Sequence, residues 1–151
     1  METIHFSTLI QADPKTVWDK MLEDKTYRIW AEPFHAGSCY EGSWNKGSEI
    51  RFVAPDENGV VSGMFSRIHD NVPHQFVSIE HLGMIVNGVV DTESEEVKKW
   101  TPAFENYTFK EKGPGKTELI VEMQIAEEYK EMFEDMWPKA LKVLKDLCEA
   151  R

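Results

Sequence analysis

The sequence predicts an α+β fold, with a curved antiparallel sheet of about seven strands wrapped on one long C-terminal helix and two short helices after the first strand. Three observations carry this. Tyr129, Phe133, Met136, Trp137, Ala140, Leu141, Leu144, Leu147 and Cys148 recur at helical spacing on one face, while Lys139, Lys142, Lys145, Asp146 and Glu149 take the other. Short strand-like segments divided by strong turn signals precede that stretch. Between the first strand and the rest, Asp13-Pro14 opens a helical segment. A single amphipathic helix after many strands needs a sheet to cover, and a curved sheet can leave a cavity beneath it.

The elements follow in order. Ile4, Phe6, Thr8 and Ile10 alternate with His5, Ser7 and Leu9, which makes residues 2–11 a strand. Asp13 at the N-cap accepts orphan amide bonds, Pro14 at the first helical position loses no needed donor, and Val17, Trp18, Met21 and Leu22 supply an apolar face. A second short helix, Asp24 to Ala31, offers Tyr27 and Trp30 before Pro33 stops it. Strands are expected near 37–43, 48–54, 60–70, 75–87, 103–112 and 116–125, divided by Asn45-Lys46-Gly47, Pro55 to Gly59, Asn71-Val72-Pro73 and Gly113-Pro114-Gly115. Residues 88–102 carry a hairpin signal in Asn87-Gly88. After that come a Thr92/Ser94 cap with acids and then bases, which suits a strand to about 91 and then a loop or one helical turn. This excursion, with Trp100, reads as a lid or as a homodimer contact. Pro138 either kinks the last helix, with a restart near 135–137, or sits in its first turn behind a lead-in over 127–135.

At 151 residues the chain suits one domain, 1–151, which at this size buries roughly 70% of its unfolded surface. The formal net charge of −10, with basic residues interleaved among acids, leaves no stripe to neutralise phosphates. Nucleic acid and membrane are therefore not expected partners. The opening Met1-Glu2-Thr3-Ile4-His5 has neither a basic nor an apolar leader pattern, so a cytoplasmic location is expected. Cys39 and Cys148, without a CxxC, read as free thiols. No HxH, HExxH or Cys/His cluster occurs, nor a dinucleotide, P-loop or GxSxG motif, so no metal and no cofactor are expected.

Strand, two short helices, meander and long helix make the helix-grip arrangement, and the chain resembles the START-like SRPBCC superfamily of birch-pollen-allergen and polyketide-cyclase-like proteins. Within it the chain is most similar to the domain of the activators of the heat-shock-protein-90 ATPase. The carrying residues are Ala12-Asp13-Pro14-x-x-Val17-Trp18, Trp44-x-x-Gly47-Ser48-x-Ile50-x-Phe52, Val61-Ser62-Gly63 with Ile68 ahead of Pro73, and Trp137 with Leu141, Leu144 and Leu147. The resemblance implies a deep, mostly apolar cavity between sheet and last helix, holding a small hydrophobic or amphipathic ligand.

Strand parity supplies candidates for its lining. Thr117, Leu119, Val121, Met123 and Ile125 should face inward, as should Tyr107 and Phe109 on the strand before. Ile50, Phe52, Trp30, Phe34, Trp137 and Leu141 complete an aromatic and aliphatic interior, although such residues fill cores more often than they touch ligands. Glu105 shares parity with Tyr107 and is the best candidate for a cavity carboxylate, against the alternative of a strand-end acid at the rim. The parity of His81 is open, because Gly83 suggests a bulge. Glu80 and His81 point to opposite faces and cannot pair, and His35, His69 and His74 lie near turns and should be solvated.

Three functions follow in order of preference. The first is small-molecule binding in the grip. The second is a cyclase- or hydratase-type enzyme with Glu105, His81 and Tyr107 as acid/base groups. The third is a chaperone-interaction module, disfavoured because the extra amino-terminal domain of the eukaryotic activators is not in the sequence.

Overall fold

The computed structural model describes residues 1–150. Strand β1 (Glu2–Ile10) leads into α1 (Pro14–Leu22) and α2 (Asp24–Trp30). The Asp13 carboxylate caps α1 by accepting from the Thr16 amide at 2.8 Å, with Pro14 in the first turn. The chain then runs through β2 (Cys39–Gly42), β3 (Glu49–Pro55), β4 (Val61–Val72), β5 (Phe76–Val86), β6 (Val89–Asp91), α3 (Glu95–Lys98), β7 (Ala103–Glu111) and β8 (Thr117–Ile125). After a 3₁₀ turn, Glu127–Tyr129, it ends in α4 (Lys130–Glu149).

The sheet has eight strands in the order β1-β8-β7-β5-β4-β3-β2, with β6 paired off this path onto β5. The pairings are antiparallel throughout. The strand beyond the expected seven is β6, folded back by the two-residue Asn87-Gly88 turn, in which both residues take positive φ. Helix α4 packs on β1, α1 and α2. Its inner face, Trp137, Ala140, Leu141, Leu144 and Cys148, is buried against Ile4, Ile10, Val17, Met21, Leu119, Val121 and Ile79. Burying one such leucine completely, as at Leu144, contributes about 1.5–3 kcal/mol.

Pro138 lies in the interior of α4. The helix runs unbroken through it from Lys130, so there is no restart at 135–137 and the proline lies well past the first turn. Burial of Trp137, Ala140 and Leu141 on either side offsets the roughly 3 kcal/mol that an interior proline costs.

The parity of His81 is settled by a register shift between β4 and β5. Ser66 pairs His81, but Phe65 pairs Gly83, so Leu82 is the extra residue of a bulge. Ser66, Ile68, Ile79 and His81 consequently share the inner face, while Phe65 and Gly83 take the outer one. A Cβ at Gly83 would lie 2.2 Å from the Asp91 carbonyl oxygen, so glycine there lets β6 close onto β5.

The excursion over 88–102 contains β6 and the single turn of α3. The Ser94 hydroxyl caps α3 by accepting from the Val97 amide at 3.3 Å. Thr92, Thr101 and Pro102 border an open groove of about 560 Å³ with Phe65, Glu80 and Leu82. The excursion therefore flanks the outer face of the sheet and not the interior.

Candidate functional site

Strands β4, β5 and β7 bring one connected set of polar side chains into the interior. Glu105 stands opposite Ile79 on β5, and its carboxylate reaches diagonally to His81, with Oε1 3.0 Å from Nε2. On the other ring nitrogen, Nδ1 lies 2.7 Å from the Ser66 hydroxyl. The Tyr107 hydroxyl, two residues along β7, donates to Glu105 Oε2. With Glu105 ionised, the Tyr107 O–H and the His81 Nε2–H fill its two oxygens, and the Ser66 hydroxyl donates to Nδ1 of a neutral imidazole. Every polar hydrogen of the chain then has an acceptor.

The set is shut away from water. Ser66 is 0% and His81 7% exposed, and the side chains of His81 and Glu105 are 9% and 14% exposed. Burial, and after it the neighbouring Glu105 carboxylate, holds the Tyr107 hydroxyl well above the ordinary tyrosine range. The same two causes, in the same order, raise the buried Tyr27.

Aromatic rings close around this chain. Phe52 meets His81 edge-on at 6.1 Å, and Tyr107 meets Trp137 at 6.0 Å. Trp137 is the centre of the cluster, with Trp30 at 5.9 Å, Phe34 at 5.0 Å and Phe6 stacked at 6.1 Å. Its indole N–H points to the sulfur of Met123 at 3.1 Å. Leu141 lies one turn further along α4 and is buried. Phe34, partly buried, meets Phe133, also partly buried, at 6.3 Å between ring centroids.

Trp30, Phe34, Phe52, His81, Glu105, Tyr107, Met123 and Trp137 are thus gathered within a few ring-widths, and the carboxylate at 105 is interior. Phe109 is not with them. It packs on Trp18 at 5.1 Å, whose other edge meets His74 at 5.9 Å, toward the far end of β7. His74 is therefore half-buried where solvation was expected, whereas His35 and His69 are exposed. The interior rings pack between sheet and helix, and none of them lines the two open grooves on the outside.

Sequence reasoning missed Ser66, and named Tyr27 only as a residue of the second helix and not as a member of the site. Ser66 sits at inward parity with Ile68, but its partner is fixed only by the β4–β5 bulge. Among the described residues no group of three or more His, Cys, Asp or Glu side chains is placed to hold a metal ion. None of their helices is long and apolar enough to cross a membrane.

Neither a protein-family model nor a curated protein matches the sequence. Solved structures do match in shape. A protein from Arthrobacter aurescens superposes with a TM-score of 0.74 at 11% identity, covering 99% of this chain and 87% of that one. The Aha1 dimer from Colwellia psychrerythraea gives 0.71 at 16% identity, over 99% and 98% of the two chains. A conserved protein of unknown function from Enterococcus faecalis gives 0.66 at 16% identity, over 98% and 71%. At such identities the likeness shows the fold, the helix-grip arrangement, and nothing further.

Proposed function

We propose that the chain binds a small hydrophobic or amphipathic ligand between the sheet and α4, with the ligand's polar end bonded to the Glu105–Tyr107 end of the buried polar chain. The carrying observation is that chain itself. A carboxylate, an imidazole, a phenol and a hydroxyl enclosed by aromatic rings cost desolvation that apolar residues of equal volume would avoid, which favours a functional reason for their presence. Phe34 and Phe133, both only partly buried, form one place where a parting of rings would admit the ligand.

Native mass spectrometry of the protein as purified, followed by denaturing extraction, tests the reading. One stoichiometric apolar or amphipathic molecule is expected. A bare mass, together with no thermal stabilisation by a panel of fatty alcohols, sterols and aromatic alcohols, would overturn it. A second reading, acid/base catalysis on such a ligand, is favoured by the 3.0 Å contact between His81 and Glu105. Glu105→Gln separates the two, with affinity falling on the order of 10-fold for a bound ligand and turnover on the order of 10²-fold for a substrate.

The finer kinship with the activators of the heat-shock-protein-90 ATPase is part of this proposal, supported by the motifs around Trp18, Trp44 and Trp137 and by the likeness to the Colwellia dimer. A homodimer is tested by light scattering, and a chaperone partner by pull-down.

A further inference from the structure

One apolar row on the inner face of the sheet is left uncovered. Phe52 pairs Met64 across β3 and β4, and Met64 pairs Met84 across β4 and β5, so the three stand abreast on the face that carries Ser66 and His81. Inward apolar side chains are ordinarily buried, yet all three are half-buried, and neither methionine joins the core cluster. Helix α4 packs chiefly on β1, α1 and α2, and β1 is the opposite edge of the sheet from β2 and β3. Asp91 closes the row opposite Met84, its carboxylate already accepting from the Ser94 and Glu93 amides at 3.0 and 3.1 Å.

The row runs up to the buried polar chain. Phe52 meets both His81, at 6.1 Å, and Tyr27, at 6.2 Å. Tyr27 is 9% exposed, and its hydroxyl makes no hydrogen bond among the described residues. Burial, and after it the Glu105 carboxylate, keeps that hydroxyl protonated. A donor without an acceptor therefore stands near a carboxylate whose two oxygens each accept one bond and have a lone pair to spare. A head group set between them must accept from Tyr27 and donate to Glu105. The smallest group that does both is a hydroxyl. An ammonium has no acceptor to give, an ether or ketone has no donor, and a carboxylate would be brought against Glu105 in a water-poor site.

Resting on the binding reading above, we propose that the ligand is an uncharged alcohol or phenol, with its hydroxyl bridging Tyr27 and Glu105 and its apolar body along Phe52, Met64 and Met84. Tyr27 and Glu105 then select the head group together. The two methionines, flexible and polarisable, adapt to the shape of the body.

The probes are 1-octanol, octanoate and octylammonium, titrated at about pH 8, where the last two are charged, against the full chain. Carbon-13 labelling of the methyl groups of its seven methionines supplies the readout. Octanol is expected to shift Met64 and Met84 and to leave the exposed Met1 unmoved. Octanoate and octylammonium should each bind about 10-fold or more weakly. In Glu105→Gln the gap between octanol and octanoate should narrow to about 3-fold or less, because the repelling charge is gone. Tyr27→Phe should weaken octanol by about 5-fold or more. Either charged probe binding as tightly as octanol would overturn the alcohol assignment and leave the binding reading standing. Octanol affinity unchanged in Tyr27→Phe would do the same. A ligand found by native mass spectrometry, with no probe moving Met64 or Met84, would overturn this inference alone, whereas failure of the mass spectrometric and thermal tests above would overturn both.

Discussion

The indole nitrogen of Trp137 lies 3.1 Å from the sulfur of Met123, so the centre of α4 is tied directly to β8. The same indole is 2% exposed and meets Trp30, Phe34, Phe6 and Tyr107. Trp137→Ala is therefore expected to destabilise by about 3–5 kcal/mol, the usual cost of emptying a large aromatic site. Urea denaturation at constant m-value checks it. A loss below about 1 kcal/mol would mean the cluster is not the core.

The buried polar chain predicts an asymmetry between two conservative variants. Tyr107→Phe removes the donor to Glu105 Oε2 and strands a buried carboxylate oxygen, at a cost of about 1.5–3 kcal/mol. Glu105→Gln keeps an acceptor for the tyrosine and removes the buried charge, so stability should change by less than about 1 kcal/mol. Parallel chemical denaturation of the two variants decides it, and equal losses would contradict the assigned bonds.

Alkaline pH should unfold the protein through Tyr27 and Tyr107. Both hydroxyls are raised by burial and then by Glu105, whereas an unfolded tyrosine titrates near 10.0. The folded state holds these protons longer, so their contribution is complete below pH 10 and is lost as pH rises above it. The slope approaches about 1.4 kcal/mol per pH unit for each group. Denaturation midpoints between pH 9 and 11.5 measure it; burial also raises the Cys148 thiol, to about 12, and the Tyr40 hydroxyl, so Tyr27→Phe should lower the slope by about 1.4 kcal/mol per pH unit and leave the rest.

Gly63 predicts a backbone effect with no side chain to lose. A Cβ there would stand 1.9 Å from the Phe52 carbonyl oxygen and 2.8 Å from the Val53 Cα, on the paired strand. Gly63→Ala must push β3 from β4, and a loss of more than about 2 kcal/mol is expected, read as a fall in thermal midpoint. An unshifted midpoint would show that β3 yields freely.

How far the sequence could be read depends on whether local or distant residues decided each feature. The Asp13-Pro14 cap, the alternation on β8 and the apolar face of α4 are local, and each element formed where its residues indicated. Inward parity at Glu105 and Tyr107 was legible because β7 has no bulge. His81 was not, because its facing depends on how Ser66 and Phe65 pair across a bulged hairpin. Phe109 had the right parity but lies at a height on the sheet that parity cannot show. The restart expected at Pro138 did not occur, because burial on both sides overrode the boundary that local propensity argued for. The uncovered row was invisible, since Phe52, Met64 and Met84 stand abreast only through strand pairing.

Pro138 also divides the mechanical character of α4. Having no N–H, it leaves the helix one rung short between Glu134 and itself. Phe133 and Trp137 lie on the amino-terminal side of that rung, and Ala140, Leu141, Leu144 and Cys148 anchor the carboxyl-terminal side. Lifting the first two turns away from the sheet thus breaks fewer backbone bonds than lifting the last three. The aromatic end of the grip is thus held by side-chain packing around Trp137, and the other end by packing together with an unbroken backbone ladder.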